Sequence, residues 1–184
     1  MNPQTIGKTD EIFKLYHELN KRLYTIWKNE ILFTWQWWLL LALSVLPWII
    51  WYLIRDKEST GRLLYAGFCV MVISTFLDFI GIAAGLWEYP LKLIPFIQSL
   101  APWNVTLLPV VTMITLQFMP RIRPLIKAVI YSASGSFILQ PVSQWLGLYK
   151  PNGWKDYYSF PVLITIYLIS NFLVSKDYFK KLRS

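Results

Sequence analysis

The chain has 184 residues, of which 55% are hydrophobic, 17% aromatic and only 15% charged, with ten Trp and a net charge of +8. A soluble fold needs more polar surface than this, and the 18 Lys and Arg fall in short clusters between apolar runs, a pattern of headgroup anchoring and not of a nucleic-acid-binding face. A lone cysteine, Cys69, leaves no partner for an intramolecular disulfide, and with a single histidine, His17, the composition argues against a His/Cys metal centre; no metal or cofactor is expected.

Residues 1–30 are polar, and positions 10–30 place Ile12, Tyr16, Leu19, Leu23 and Trp27 at spacings of three or four with basic and acidic residues between them. This predicts an amphipathic helix, either lying on the membrane surface or docked on the protein's own loops. The first apolar run is longer than the hydrophobic region of a signal peptide, so it is expected to remain as a span. It covers 31–54, uncharged, with Trp35, Trp37 and Trp38 near its start and Trp48, Trp51 and Tyr52 near its end as interfacial belts. Pro47 is expected to kink it.

A second span is predicted over 63–87. The uncharged stretch 93–119 is interrupted by Pro95, Pro102 and Pro109, and divides into an interfacial or re-entrant piece and a span over 103–119. Further spans follow at 128–149 and 157–175, and the tail 176–184 is basic. The expected fold is therefore all-α: a transmembrane bundle of about five helices over 31–184, with an N-terminal interfacial helix over 1–30. No internal repeat long enough to suggest inverted transporter halves is evident.

Loops 55–62 and 120–127 and the tail hold ten Lys and Arg, against Lys92, Lys150 and Lys155 in the opposite loops. The positive-inside rule then puts the C-terminus in the cytoplasm and the N-terminus outside, although five basic residues in the first 30 narrow the margin.

Asp78 is the one acid deep inside an apolar run. Gly81 and Gly85 share its helical face as a small-xxx-small pair that would admit a neighbouring helix. The fourth span offers Ser132, Ser136, Gln140 and Gln144 at spacings of four, and Gln140 should lie at the depth of Asp78. In its neutral form Asp78 is expected to donate a hydrogen bond to Gln140 or a serine, either as a tie between helices or as a proton donor. Glu88, at the outer end of the same helix, is the second candidate acid. Trp87, Tyr89, Trp103, Trp145, Tyr149, Trp154, Tyr157 and Tyr158 fall at this level, with Asn104, Gln140 and Gln144 among them. They form either an ordinary interfacial belt or an amphipathic pocket for an isoprenoid, a lipid or a cationic headgroup. No phosphate-loop, dinucleotide, zinc-protease or serine-hydrolase motif is present.

The strings Leu46-Pro47-Trp48, Leu77-Asp78, Gly85-Leu86-Trp87-Glu88-Tyr89-Pro90, Lys92-Leu93-Ile94-Pro95, Leu108-Pro109-Val110, Gln140-Pro141, Trp145-Leu146-Gly147-Leu148-Tyr149-Lys150 and Trp154 resemble a family of small multi-pass membrane proteins of spore-forming Bacillota. The resemblance implies a bacterial cytoplasmic membrane location and no particular activity. Three functions follow as expectations. The first is a non-catalytic protein binding membrane lipid, a second copy of the chain or another membrane protein. The second is an intramembrane enzyme, cyclase-like, with Asp78 or Glu88 as acid. The third is a small transporter, for which paired polar groups along the spans are few.

Overall fold

Apolar runs about 20 residues long with few charges have one economical solution in lipid, the α-helix, because it satisfies its own backbone. The computed structural model describes residues 2–118 and 121–175 and is built that way; Met1, Met119, Pro120 and the basic tail 176–184 lie outside the described residues. Four helices are long and apolar enough to cross a bilayer: Trp35–Ile54, Thr60–Ala83, Pro124–Trp145 and Asp156–Val174.

Helix α1 (Pro3–Ile26) is followed by a π-helical turn, Trp27–Ile31. Its end leans on the loop after α3: the Trp27 indole donates to the Lys92 carbonyl at 2.9 Å, Tyr24 stacks on Phe96 at 5.7 Å, and Gln98 donates to the Tyr16 hydroxyl at 3.1 Å. Ile12, Leu19 and Leu23 stay exposed. The first span starts at Trp35 and not at Ile31, because Phe33 adopts a left-handed conformation (φ 63°) and Thr34 then caps α2 (Trp35–Ile54) by accepting from the Trp37 N–H.

Helix α3 (Thr60–Ala83) ends earlier than the expected 87. Gly85 takes φ 70°, the Gly85 N–H reaches the Ile82 carbonyl, and the Leu86 N–H reaches the Gly81 carbonyl, both at 2.9 Å. This is the Schellman closure that a glycine just beyond a helix permits. The chain then runs irregularly to Ala101, save for a two-residue strand β1 (Trp87–Glu88).

The next helix combines a six-residue π segment, Pro102–Leu107, with the ten residues of α4 (Leu108–Gln117). Its length is about 24 Å, short of a full crossing. It packs against α2, α3 and the later helices Pro124–Ser134 and Asp156–Val174, and eight of its residues, from Pro102 to Met113, are buried. Helix α5 (Pro124–Ser134), a second π segment Gly135–Leu139, buried only at Gly135 and Ser136, and α6 (Gln140–Trp145) form one continuous helix. After the two-residue strand β2 (Lys150–Pro151), α7 (Asp156–Val174) completes the bundle.

The prolines explain both internal π segments. A helical proline crowds the carbonyl four residues earlier, here Val105 for Pro109 and Phe137 for Pro141, and both residues lie inside the widened turns. Pro47 is handled differently. It removes the N–H that would reach the Leu43 carbonyl, and at the same turn the neighbouring Ser44 carbonyl accepts from the Thr106 hydroxyl of the central helix at 3.0 Å.

The bundle has two distinct ends. At one, Gln117 bridges the Ile54 carbonyl and the Asp56 N–H, and buried Lys127 donates to the Thr115 and Phe118 carbonyls. At the other, Trp37 and Trp27 hold consecutive carbonyls, Leu93 and Lys92, and β1 pairs antiparallel with β2. The central helix runs from the second end to the first.

Candidate functional site

The site is built by two helix ends of like design. Residues 62 apart match: Ser74 with Ser136, Leu77 with Leu139, Asp78 with Gln140, Gly85 with Gly147, Leu86 with Leu148, and Trp87 with Tyr149. Gly147 repeats the left-handed φ at 71°, and the Leu148 N–H closes on the Ser143 carbonyl as Leu86 closes on Gly81. Each polar helix residue also meets the ring nine residues on. The Trp87 indole donates to Asp78 Oδ1 at 2.8 Å, and Gln140 Nε2 donates to the Tyr149 hydroxyl at 3.2 Å. The ladder of β1 and β2 pairs Glu88 with Lys150, equivalent positions, so a local two-fold passes through that pair. This repeat is parallel, two helical hairpins side by side, and not the inverted kind.

Asp78 is 5% exposed and receives three hydrogen bonds: Trp87 Nε1 and, at 2.7 Å, Tyr89 Oη reach Oδ1, and Asn104 Nδ2 reaches Oδ2 at 2.7 Å. The expected bond to Gln140 or Ser136 is not made. Gln140 turns to Tyr149, and Ser136 and Ser132 are buried without a partner. The reason is the Schellman turn, which folds Trp87 and Tyr89 back over the last turns of α3 and brings nearer donors than the opposite helix does. Gly81 makes this possible, because a Cβ there would lie 2.0 Å from the outer edge of the Trp87 ring. An indole N–H and an amide NH₂ can only donate, so Trp87 and Asn104 complement acceptor oxygens on Asp78, and the Tyr89 hydroxyl, which can donate or accept, is the third partner. Burial, and then the adjacent Asp78, raise the Tyr89 phenol well above its usual range, which keeps it protonated as a donor. Burial raises Tyr149 as well.

These groups line a cavity of about 110 Å³. Of the sequence candidates, Asp78, Trp87, Tyr89, Trp103, Asn104, Gln140, Tyr149 and Trp154 are brought together here. Four are not. Glu88 is exposed and pairs with Lys150 at 2.6 Å, Gln144 donates to Asp156, Trp145 is 84% exposed, and Tyr157 packs edge-on against Tyr158 in the open. Sequence reasoning missed Ser74, Ser143 and Ser159 as polar lining. The fixed spacing between Ser74 and Ser136 was the available signal for the first of them.

The rings stand in angled pairs, Trp87 with Trp154 at 5.0 Å and 71° and Tyr89 with Tyr149 at 5.8 Å and 45°. Leu77, half-exposed on the bundle surface, belongs to the same lining, so the cavity lies beside the bundle's exposed apolar surface. A second cavity of about 160 Å³, largely apolar, lies between the central helix and α5 and shares Trp103 and Leu108 with the first. Among the described residues no cluster of three or more His, Cys, Asp or Glu could hold a metal. No family model, curated protein or solved structure matches this chain.

Proposed function

We propose that this chain crosses a membrane five times and holds the headgroup of a membrane lipid in the Asp78 cavity, without chemical turnover. The observation that carries the reading is the cavity itself: a polar floor of Asp78, Asn104 and Gln140 under aromatic walls, beside the exposed apolar surface at Leu77. Its volume is below the roughly 300 Å³ of a drug-sized pocket, so it suits a headgroup whose chains remain in the bilayer. The short central helix supplies the fifth crossing, shielded by four longer ones. The clustering of Arg55, Lys57, Arg62, Arg121 and Arg123 at the opposite end favours placing the cavity in the outer half of the membrane, with the exposed stripe of α1 on the outer surface. The resemblance to a Bacillota family supports a bacterial cytoplasmic membrane.

Acid catalysis draws less support. Asp78 is surrounded by donors, and exposed Glu88 lies outside the cavity in an ion pair. The test is native mass spectrometry of the detergent-extracted protein. One retained phospholipid per chain, lost on Trp87→Ala or Trp154→Ala, is the expected result. A chain that retains no lipid, or binds it equally in both variants, contradicts the reading.

A further inference from the structure

We propose that the headgroup taken by this cavity is a cation, an ammonium of the ethanolamine or choline type; this rests on the lipid-binding reading above. The only acidic or basic side chain lining the cavity is Asp78, and no Lys, Arg or His among the described residues pairs with it. Its three partners, Trp87, Tyr89 and Asn104, carry no formal charge. A carboxylate enclosed by a membrane bundle without a counter-ion is costly, and an ammonium is the complement that this site lacks. The walls suit the same ligand. Trp87, Tyr89, Trp103, Tyr149 and Trp154 line the cavity, and aromatic rings set at angles to one another form the cage that recognises ammonium groups through their faces. An apolar cavity of about 150 Å³ accepts benzene, so about 110 Å³ leaves room for a compact group of a few heavy atoms.

The repeat supplies an internal control. At the position equivalent to Asp78 the other helix carries Gln140, which holds its own ring, Tyr149, through an uncharged amide. A neutral side chain therefore suffices for the architectural contact, and what Asp78 adds is charge. Metal ions are poor candidates for the same charge, since one carboxylate offers too few oxygen ligands. Anionic headgroups would meet a carboxylate and no basic group.

The full-length chain is reconstituted in nanodiscs of equal phosphatidylethanolamine and phosphatidylglycerol, then released and analysed by native mass spectrometry. The wild type should retain the ethanolamine lipid over the glycerol lipid by about thirtyfold, the scale of a desolvated cation–π contact. Asp78→Asn turns an NH₂ on one of the three donors and should lower the thermal transition; the variant that remains folded by circular dichroism should show no preference between the two lipids. As a measurement on wild type alone, N-acetylated phosphatidylethanolamine, whose amine charge is removed, should be rejected as strongly as the glycerol lipid. Retention of both lipids equally, of the N-acetylated lipid as well as its parent, or an unchanged preference in a folded Asp78→Asn variant, would overturn the proposal while leaving lipid binding intact. Retention of no lipid at all by the wild type would instead remove the lipid-binding reading on which the proposal stands.

Discussion

Gly81 and Gly85 look equivalent in sequence, but the bundle uses them for different purposes, and replacing each by alanine separates the two. A Cβ at residue 81 would sit 2.0 Å from the Trp87 Cη2 and Cζ2 atoms, far inside contact distance, so the indole must move. That movement strains a filled site, at about 1–3 kcal/mol, and disturbs a hydrogen bond to a charged group worth about 1.5–3 kcal/mol. Gly81→Ala should therefore cost about 2.5–6 kcal/mol and impair ligand retention. At residue 85 nothing lies within 4 Å, and the penalty is the left-handed backbone alone, about 1–2 kcal/mol. Urea unfolding in detergent, followed by circular dichroism, compares the two. Trp87→Phe shortens the ring that clashes, so the double variant with Gly81→Ala should be more stable than the two single costs sum to. Additive costs, or a Gly81→Ala variant as stable as wild type, would refute the close packing of Trp87 on α3.

The same logic gives three smaller expectations. Thr106→Val should cost about 0.5–1.5 kcal/mol by removing the hydroxyl that bonds the Ser44 carbonyl; thermal scans of the variant against wild type measure it, and an unchanged transition would show that the bond contributes nothing. Glu88→Gln should leave both stability and lipid retention nearly unchanged, because its pair with Lys150 is exposed, whereas an acid-catalysis role would make it disabling in any turnover assay. A reporter fused after Ser184 should behave as cytoplasmic and one inserted near Asn152 as external, and the reverse pattern would move the cavity to the inner half of the membrane.

Much of this architecture could be read from the residues. The apolar runs gave all four long helices within a few positions, and the isolation of Asp78 in such a run marked it correctly as turned inward. Boundaries failed where local closure overrides hydrophobicity: Phe33 and Thr34 delay α2, and Gly85 stops α3 before Leu86 and Trp87, although both are apolar enough to continue it. The partners of Asp78 were misassigned for the same reason. Helical periodicity pairs Asp78 with a residue on a facing helix, but a chain reversal returns Trp87 and Tyr89 to it from nine and eleven positions on. The stretch 103–119 was expected to be an ordinary span, and the helix found there, Pro102–Gln117, is shorter than the other four. It begins at Pro102, and its burial is visible in Asn104, Thr106 and Thr112, polar residues that an apolar exposed face would not carry. The two matched helix ends share too few residues to stand out as a repeat until their turns and hydrogen bonds are superposed.

The most direct test of a lipid headgroup seated at Asp78 is photolabelling in vesicles with a phosphatidylethanolamine analogue carrying a diazirine on its headgroup, followed by peptide mapping. The account predicts label concentrated on the segments around Trp87–Tyr89, Trp103–Asn104 and Tyr149–Trp154, competed by unlabelled ethanolamine lipid. Label spread along the exposed faces of α2 and α7, with no competition, would contradict it.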